Sequence, residues 1–507
     1  MSRKSAKKLE AQAANTRTEE RTQRALEAIK HGKEQCANTN ALENASKKLR
    51  VLTEAKRCGI GAGIKTSLAM VLCVLLNLPF LGLNLWRYLH TDRGQADGIS
   101  KNVYYRLLES PKANWRKLVL TVGARIVELI SRKGAQPEDV PCLVLDDSII
   151  DRPKAKKVEL VAMLHDHVVH KCKACFAMLA LLWTNGRNSV CLHFNMCSST
   201  RKKVRIQEAD PVDRRTVGWR NRQDAQAPKP ESAIKMVKEA LAAGVHAQYV
   251  LADSWFTTSP MIAALKKMGL DMIGVVRKGK TRYRYRHNDL TIEELAKHVR
   301  FSKADSIYGA LIVTDKRGTK LKMVFVRNWA NPDKYLVIIS TDISLSNEEI
   351  IRIYGFRWNI ELFFKASKSL LNLGKEFQPR SYDAVVSTTA LAVLRFNILA
   401  YILYERGDGT IPGLFYDIKD DMSHEAELVL QAAMDYALSQ VEFLVMLCDK
   451  FFGLLSKLLR ILGRNNAAAA RKAREEIICF IQDVYYEVTA NDRVRIPRDL
   501  VAMANLA

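Results

Sequence analysis

The chain has 507 residues, 79 of them Lys or Arg and 54 Asp or Glu, for a formal net charge of +25. That length can bury roughly two to four domains, and a basic excess spread along the whole chain points to a polyanionic partner, nucleic acid first, and away from acidic or neutral ligands. Ten cysteines without regular spacing fit a reducing compartment and argue against a disulfide framework.

Residues 1–60 are polar, charged and rich in Ala, Lys and Glu, which reads as a basic arm, and the first residues lack the apolar core of a secretory signal. Thr66 to Trp86 carries no charge and has the length of a bilayer span. Asn77, Pro79 and Asn84 interrupt it, so two core helices joined by a turn are expected, with no comparable second span and no membrane partner. Residues 61–135 are expected to form a helical DNA-binding region. In it, ISKNVYYRLLES, beginning at Ile99, has Ser100 placed to cap a short basic and aromatic helix, which suits either a DNA groove or a bundle.

Beyond Pro141 the pattern changes to strands. CLVLDD is an apolar run ending in carboxylates, and CFAMLALLW and SVCLHFNMC flank Asn185-Gly186 as a hairpin. The basic stretch from Ser199 to Ser232 reads as a long exposed loop facing the polyanion. A helix, a strand ending at Asp253, a helix opened by Ser259-Pro260 and a strand MIGVV follow, the alternation of an α/β layer. Residues 282–342 read as a β-rich insertion with strands in YGALIVTD, KLKMVFVRNW and KYLVIIS, and the chain from about Asp383 onward reads as helical.

Two motifs are discounted. GVVRKGKT, from Gly274 to Thr281, has the letters of a Walker A loop, but its valines continue a strand and RYRYR follows as another, where a phosphate loop needs a helix. HDHVVHKCKAC, from His165 to Cys175, has one CxxC-type pair and no second one.

YGFRWNIELFFKASKSL, Tyr354 to Leu370, carries the main question. Read as one helix, it places Tyr354, Arg357, Glu361 and Lys368 on a narrow stripe, with Phe356, Ile360, Phe363 and Leu370 on one side and Trp358 and Leu362 on the other. A charged seam on a solvated face would contribute only roughly 0.2–0.5 kcal/mol per i,i+4 pair. Between two apolar walls it is partly desolvated, and charges there are costly. Asp147 and Asp253, each read as ending a strand, lie where open α/β sheets place their chemistry, and a helix packed on that sheet brings Glu361 to them. Three such acids repel one another unless cations neutralise them, and hard divalent ions with oxygen ligands, Mg²⁺ first and Mn²⁺ as a substitute, suit the set.

The spacing of Tyr354, Arg357, Glu361 and Lys368 matches without a gap the YREK signature of bacterial insertion-sequence transposases of insertion sequence family 4. LDDS around Asp147 and ADSWF around Asp253 resemble the two aspartate motifs of that family. The resemblance covers roughly residues 95–400 and implies a ribonuclease H-like core (136–281 and 343–400) with a β-rich insertion (282–342); the sequence beyond it, 401–507, reads as a helical C-terminal region. It also implies a DNA transposase in which Asp147, Asp253 and Glu361 hold two Mg²⁺ ions, Asp146 being the alternative first ligand. Tyr354, Arg357 and Lys368 then contact DNA phosphates, and Trp329 is the candidate for stacking a flipped base. Expected partners are double-stranded transposon ends and target DNA, bound by a homodimer in the cytoplasm at the nucleoid. The competing reading is a catalytically inactive DNA-binding relic.

Overall fold

The computed structural model describes residues 37–134, 136–166, 170–300, 306–328, 334–423 and 453. The chain divides into two compact units, one of Ala41–Arg87 and Ile99–Tyr416, the other of Met1–Asn40, Tyr88–Gly98 and Asp417–Ala507. In the second unit the short helix Asp92–Ala96 is capped by Thr91, whose side chain accepts a hydrogen bond from the Gly94 amide.

The first unit is mixed α/β, built, among the described residues, on one 11-stranded sheet. In chain order the helices before the sheet are α1 (Ala37–Lys48), α2 (Val51–Arg57), α3 (Leu68–Asn77), α4 (Leu85–Leu89), α5 (Asp92–Ala96, the capped helix of the second unit), α6 (Lys101–Leu108) and α7 (Trp115–Arg132). The uncharged stretch 66–86 is indeed broken: α3 ends at Asn77, too short to span a bilayer. Helix α6 buries Val103, Tyr104, Leu107 and Leu108, and the carbonyl of Leu108 accepts a hydrogen bond from Ser387. It is anchored as a bundle helix.

Strands β1 (Cys142–Asp151), β2 (Ala162–Asp166), β3 (Lys171–Thr184) and β4 (Ser189–Cys197) follow, then α8 (Val217–Gln226), α9 (Lys229–Ala242), β5 (Tyr249–Ala252), α10 (Ser259–Lys266) and β6 (Asp271–Val275). β1 pairs antiparallel with β3 and parallel with β5, and β5 pairs parallel with β6. Sheet interiors of this kind are covered on both faces, which is why Cys142–Leu145 and Ala174–Thr184 are continuously buried runs without alternation. Strands β7 (Tyr283–Tyr285) and β8 (Asn288–Leu290), helix α11 (Ile292–Ala296), and strands β9 (Ile307–Thr314), β10 (Lys320–Arg327) and β11 (Tyr335–Ser340) come next. β11 pairs antiparallel with β6, so the β-rich segment extends the same sheet. Helices α12 (Asn347–Gly355), α13 (Trp358–Ser369) and α14 (Tyr382–Arg406) complete the unit.

Helix α14 is long and apolar enough to cross a membrane, a second candidate span that the sequence reading did not recognise, but it is largely buried in the core. Midway along it, the buried Arg395 pairs with Glu376 (2.7 Å) and donates to the carbonyls of Leu75 and Leu76 near the end of α3. Those carbonyls are among the orphan acceptors of a helix terminus, so the cation caps one helix from within another.

Four expectations need correction. The 199–232 stretch is not an exposed loop: its second half is largely α8 and the start of α9, and Asn221 and Arg222 are buried. Arg222 pairs with Glu159 and with Asp383 (both 2.8 Å), and Glu159 also accepts the Tyr382 amide (2.7 Å). A buried charge network reads as polar in composition, which hid it. The acids of LDDS do not end their strand, because β1 runs on to Asp151. Pairing with β5 stops at Leu145, so Asp146 is the first residue past the parallel ladder, while β3 continues alongside. The Tyr354–Leu370 segment is two helices, with Phe356 and Arg357 between them still in right-handed helical conformation. Finally, only one of the two expected walls is buried: Ile360 and Phe363 enter the core, whereas Trp358 (58% exposed) and Leu362 (48%) face solvent.

Candidate active site

The hairpin turn positions the seam. Asn185 accepts the Asn188 amide (2.8 Å), Thr184 Oγ1 accepts the Gly186 amide (3.1 Å), and Gly186 adopts φ +100. A Cβ on Gly186 would lie 2.7 Å from the Phe356 ring, and Asn359 donates to Thr184 Oγ1 (3.0 Å). The turn therefore presses directly on the residues flanking Arg357. Gly186→Ala combines a left-handed backbone with a steric clash and is expected to cost about 1–3 kcal/mol. Thermal denaturation against wild type checks it.

Alternation along β1 sends its two aspartates to opposite faces. Asp147 points to the face of α9, where Lys229 donates to it (2.8 Å). Asp146 points to the seam: Arg357 donates one guanidinium nitrogen to Asp146 Oδ2 (2.9 Å) and another to Glu361. Asp253 follows β5 directly, and its Oδ1 accepts the amides of Trp255 (2.9 Å) and Phe256 (3.3 Å). Its charge reaches both Asp146 and Tyr354. The structure thus joins Asp146 and Glu361 through Arg357, sets Tyr354 beside that guanidinium, brings the Asp253 charge to bear on Asp146 from the end of the adjacent strand, and leaves Asp147 on the other face of the sheet. Doublets such as Asp146-Asp147 are ambiguous until the facing of the strand is known.

Lys368 does not extend the open seam. It donates to Ser148 Oγ and to the Ile149 carbonyl (both 2.8 Å), pinning α13 onto β1, and burial lowers its pKa. Trp329 lies outside the described residues. A residue that sequence reading passed over is Trp255, half exposed on the turn after Asp253, while its neighbours Phe256 and Thr257 are buried. The signal was present in ADSWF, where an aromatic pair sits beside an acid.

The discounted motifs resolve by packing. Gly274 lies within β6, and a Cβ there would fall 2.2 Å from Thr257 Oγ1, so this glycine admits the Asp253 turn. The next regular element is strand β7, not a helix. His165 stands opposite Cys172 across β2 and β3. Among the described residues, no three His, Cys, Asp or Glu side chains are close enough to share one ion.

Burial raises the Asp146 carboxyl to about 6 from an ordinary 3.8, an effect that Arg357 partly offsets and that Asp253 and Asp147 reinforce. The folded state then holds a proton that the unfolded state releases, so in metal-free protein this group's contribution to stability falls as pH rises from about 4 to about 6. Asp146→Asn abolishes that dependence. Its stability relative to wild type is expected to climb over that window and level off above it, by on the order of 1–3 kcal/mol. Denaturant titrations from pH 4 to pH 8 measure the difference.

Residues 94–291 match the family model described as DDE superfamily endonuclease, and residues 220–398 match the transposase DDE domain. The first match contains Asp146 and Asp253, the second Asp253 and Glu361. Both matches support a DDE transposase. Such families imply a nuclease-type enzyme with DNA as substrate, and they generally use divalent metals. No curated protein matches the chain.

Proposed function

We propose that this DDE transposase binds insertion-sequence ends and carries out Mg²⁺-dependent strand cleavage and strand transfer, as a member of insertion sequence family 4. The observation that carries the reading is the Arg357 guanidinium bridging Asp146 and Glu361 beside Tyr354, three residues of the uninterrupted YREK spacing among these four, with Asp253 at the end of the adjacent parallel strand β5. The sheet supports a ribonuclease H-like core: β4, β3 and β1 run as an antiparallel set, with β5 and β6 parallel beside β1.

Carboxylates supply hard oxygen donors, and Asp146 and Glu361 already share a cation, the Arg357 guanidinium, so the chemistry of these donors suits Mg²⁺ or Mn²⁺; in this guanidinium-bridged arrangement the three acids do not converge on one ion. Asp146, Asp253 and Glu361 would hold these ions, which supply activation of a water or a 3′-hydroxyl and stabilisation of the leaving oxygen. The chain's own groups orient the DNA. Arg357 offers a planar fork to a phosphate, Tyr354 adjoins it, and Lys368 fixes α13 so that Glu361 keeps its place relative to β1. The exposed indoles of Trp255 and Trp358 provide surfaces on which unpaired bases near the cut can stack.

Incubation of the purified protein with Mg²⁺ and labelled duplexes carrying the inverted repeats that flank its gene tests this reading. A nick at the repeat boundary is expected; binding without nicking would instead select the inactive relic. Binding itself is expected to weaken linearly in log affinity against log salt, with a steep slope. Filter binding at several salt concentrations, including an Arg357→Ala variant with a shallower slope, checks the phosphate contact.

A further inference from the structure

The position of Arg357 makes it more than a phosphate ligand. Its guanidinium bridges Asp146 (2.9 Å) and Glu361, joining β1 to α13 across the seam. The side chains of Arg357 and Asp146 are only 18% and 20% exposed. A cation bound to these carboxylate oxygens and a guanidinium bonded to the same oxygens exclude each other, by competition for lone pairs and by like-charge repulsion. A partly buried guanidinium that loses its carboxylates must find another anion or carry an uncompensated charge.

We infer that Arg357 is a two-position residue that couples metal loading to capture of the scissile phosphate. Resting on the three-carboxylate reading above, the coupling works as follows. With neither ligand bound, Arg357 neutralises Asp146 and Glu361 and holds the acids together without an ion. Cation binding displaces the guanidinium, which a DNA phosphate then accepts, bidentately and at short range. A phosphate that draws Arg357 away frees the same carboxylates for the cation. Each ligand therefore raises the affinity for the other, and by the same factor.

Lys368 provides the internal contrast. Its partners, Ser148 Oγ and the Ile149 carbonyl, are neutral, so it stands outside the competition. The backbone at Arg357 is also suited to the exchange: it lies between α12 and α13, at the N-cap position of α13, where its side chain makes no capping bond. The guanidinium can leave without undoing a helix terminus.

The experiment measures Mn²⁺ binding to the full-length chain by isothermal titration calorimetry, with and without a 5′-phosphorylated duplex, in wild type, Arg357→Met and Arg357→Lys. Without DNA, Arg357→Met is expected to bind Mn²⁺ at least roughly threefold more tightly than wild type, since the competing cation is gone. Arg357→Lys, which keeps a positive charge in place, should remain near wild type. The duplex should tighten Mn²⁺ binding in wild type by more than in Arg357→Met. Equal or weaker Mn²⁺ binding by Arg357→Met overturns the coupling.

A second measurement needs no variant at Arg357. Phenylglyoxal modification of Arg357, read by mass spectrometry, is expected to increase when Mn²⁺ is added and to fall again with duplex; modification unchanged by Mn²⁺ overturns the displacement. Asp146→Asn separates this inference from the reading beneath it. If that variant binds Mn²⁺ as wild type does, the three-carboxylate site itself fails. If it loses Mn²⁺ while Arg357→Met gains nothing, only the coupling fails.

Discussion

Asp146→Asn is expected to abolish Mg²⁺-dependent cleavage by at least roughly three orders of magnitude, while Asp147→Asn stays within about tenfold of wild type, because electrostatic stabilisation supplies most of the catalysis in phosphoryl transfer. The two substitutions are chemically identical and one residue apart, so the contrast reports strand facing alone. Asp146 meets Arg357 on the seam, whereas Asp147 is occupied by Lys229 on the other face of the sheet. Asp253→Asn and Glu361→Gln should behave as Asp146→Asn does. All four variants should retain the wild-type circular dichroism spectrum, since none leaves a cavity. Single-turnover cleavage of an end-containing duplex gives the rates. Near wild-type cleavage by Asp146→Asn, with collapse in Asp147→Asn, would return the site to the other member of the doublet.

Arg222→Met is expected to be the most destabilising single change away from the site, costing about 3–5 kcal/mol, because it strands two buried carboxylates. Glu159 and Asp383 both lose their cation, and burial already raises the Asp383 carboxyl above its ordinary value. Glu159 also accepts the amides of Tyr382 (2.7 Å) and Asp210 (2.8 Å), so the loss loosens the start of α14 and the stretch leading to α8 together. Replacing all three charges with apolar residues of similar size should recover much of the loss, since it is the unpaired charge that costs most. Urea denaturation of the single and triple variants measures both effects. A single variant within about 1 kcal/mol of wild type would mean that water reaches the pair.

The same distinction between composition and placement runs through the whole chain. Apolar runs such as CLVLDD, the Asn185-Gly186 turn, and the strands and helices that alternate around Asp253 were legible because each depends on local chemistry: chain stiffness, turn conformation and hydrophobic period. The acids and the YREK spacing were legible as residues for the same reason, and they pointed to metal-assisted chemistry on DNA. Sequence by itself could not determine which of two adjacent aspartates faces the seam, because that depends on which face of β1 packs against Arg357 and which against α9. Nor could it show that the polar stretch around Arg222 is interior, because a buried ion network and a solvated loop have the same composition. The two apolar walls of the seam looked alike in the sequence. Only packing against the sheet and α14 buried Ile360 and Phe363 and left Trp358 in solvent. Local pattern determined what each segment is; long-range contacts, which carry no periodic signature, decided which of its faces meets the chemistry.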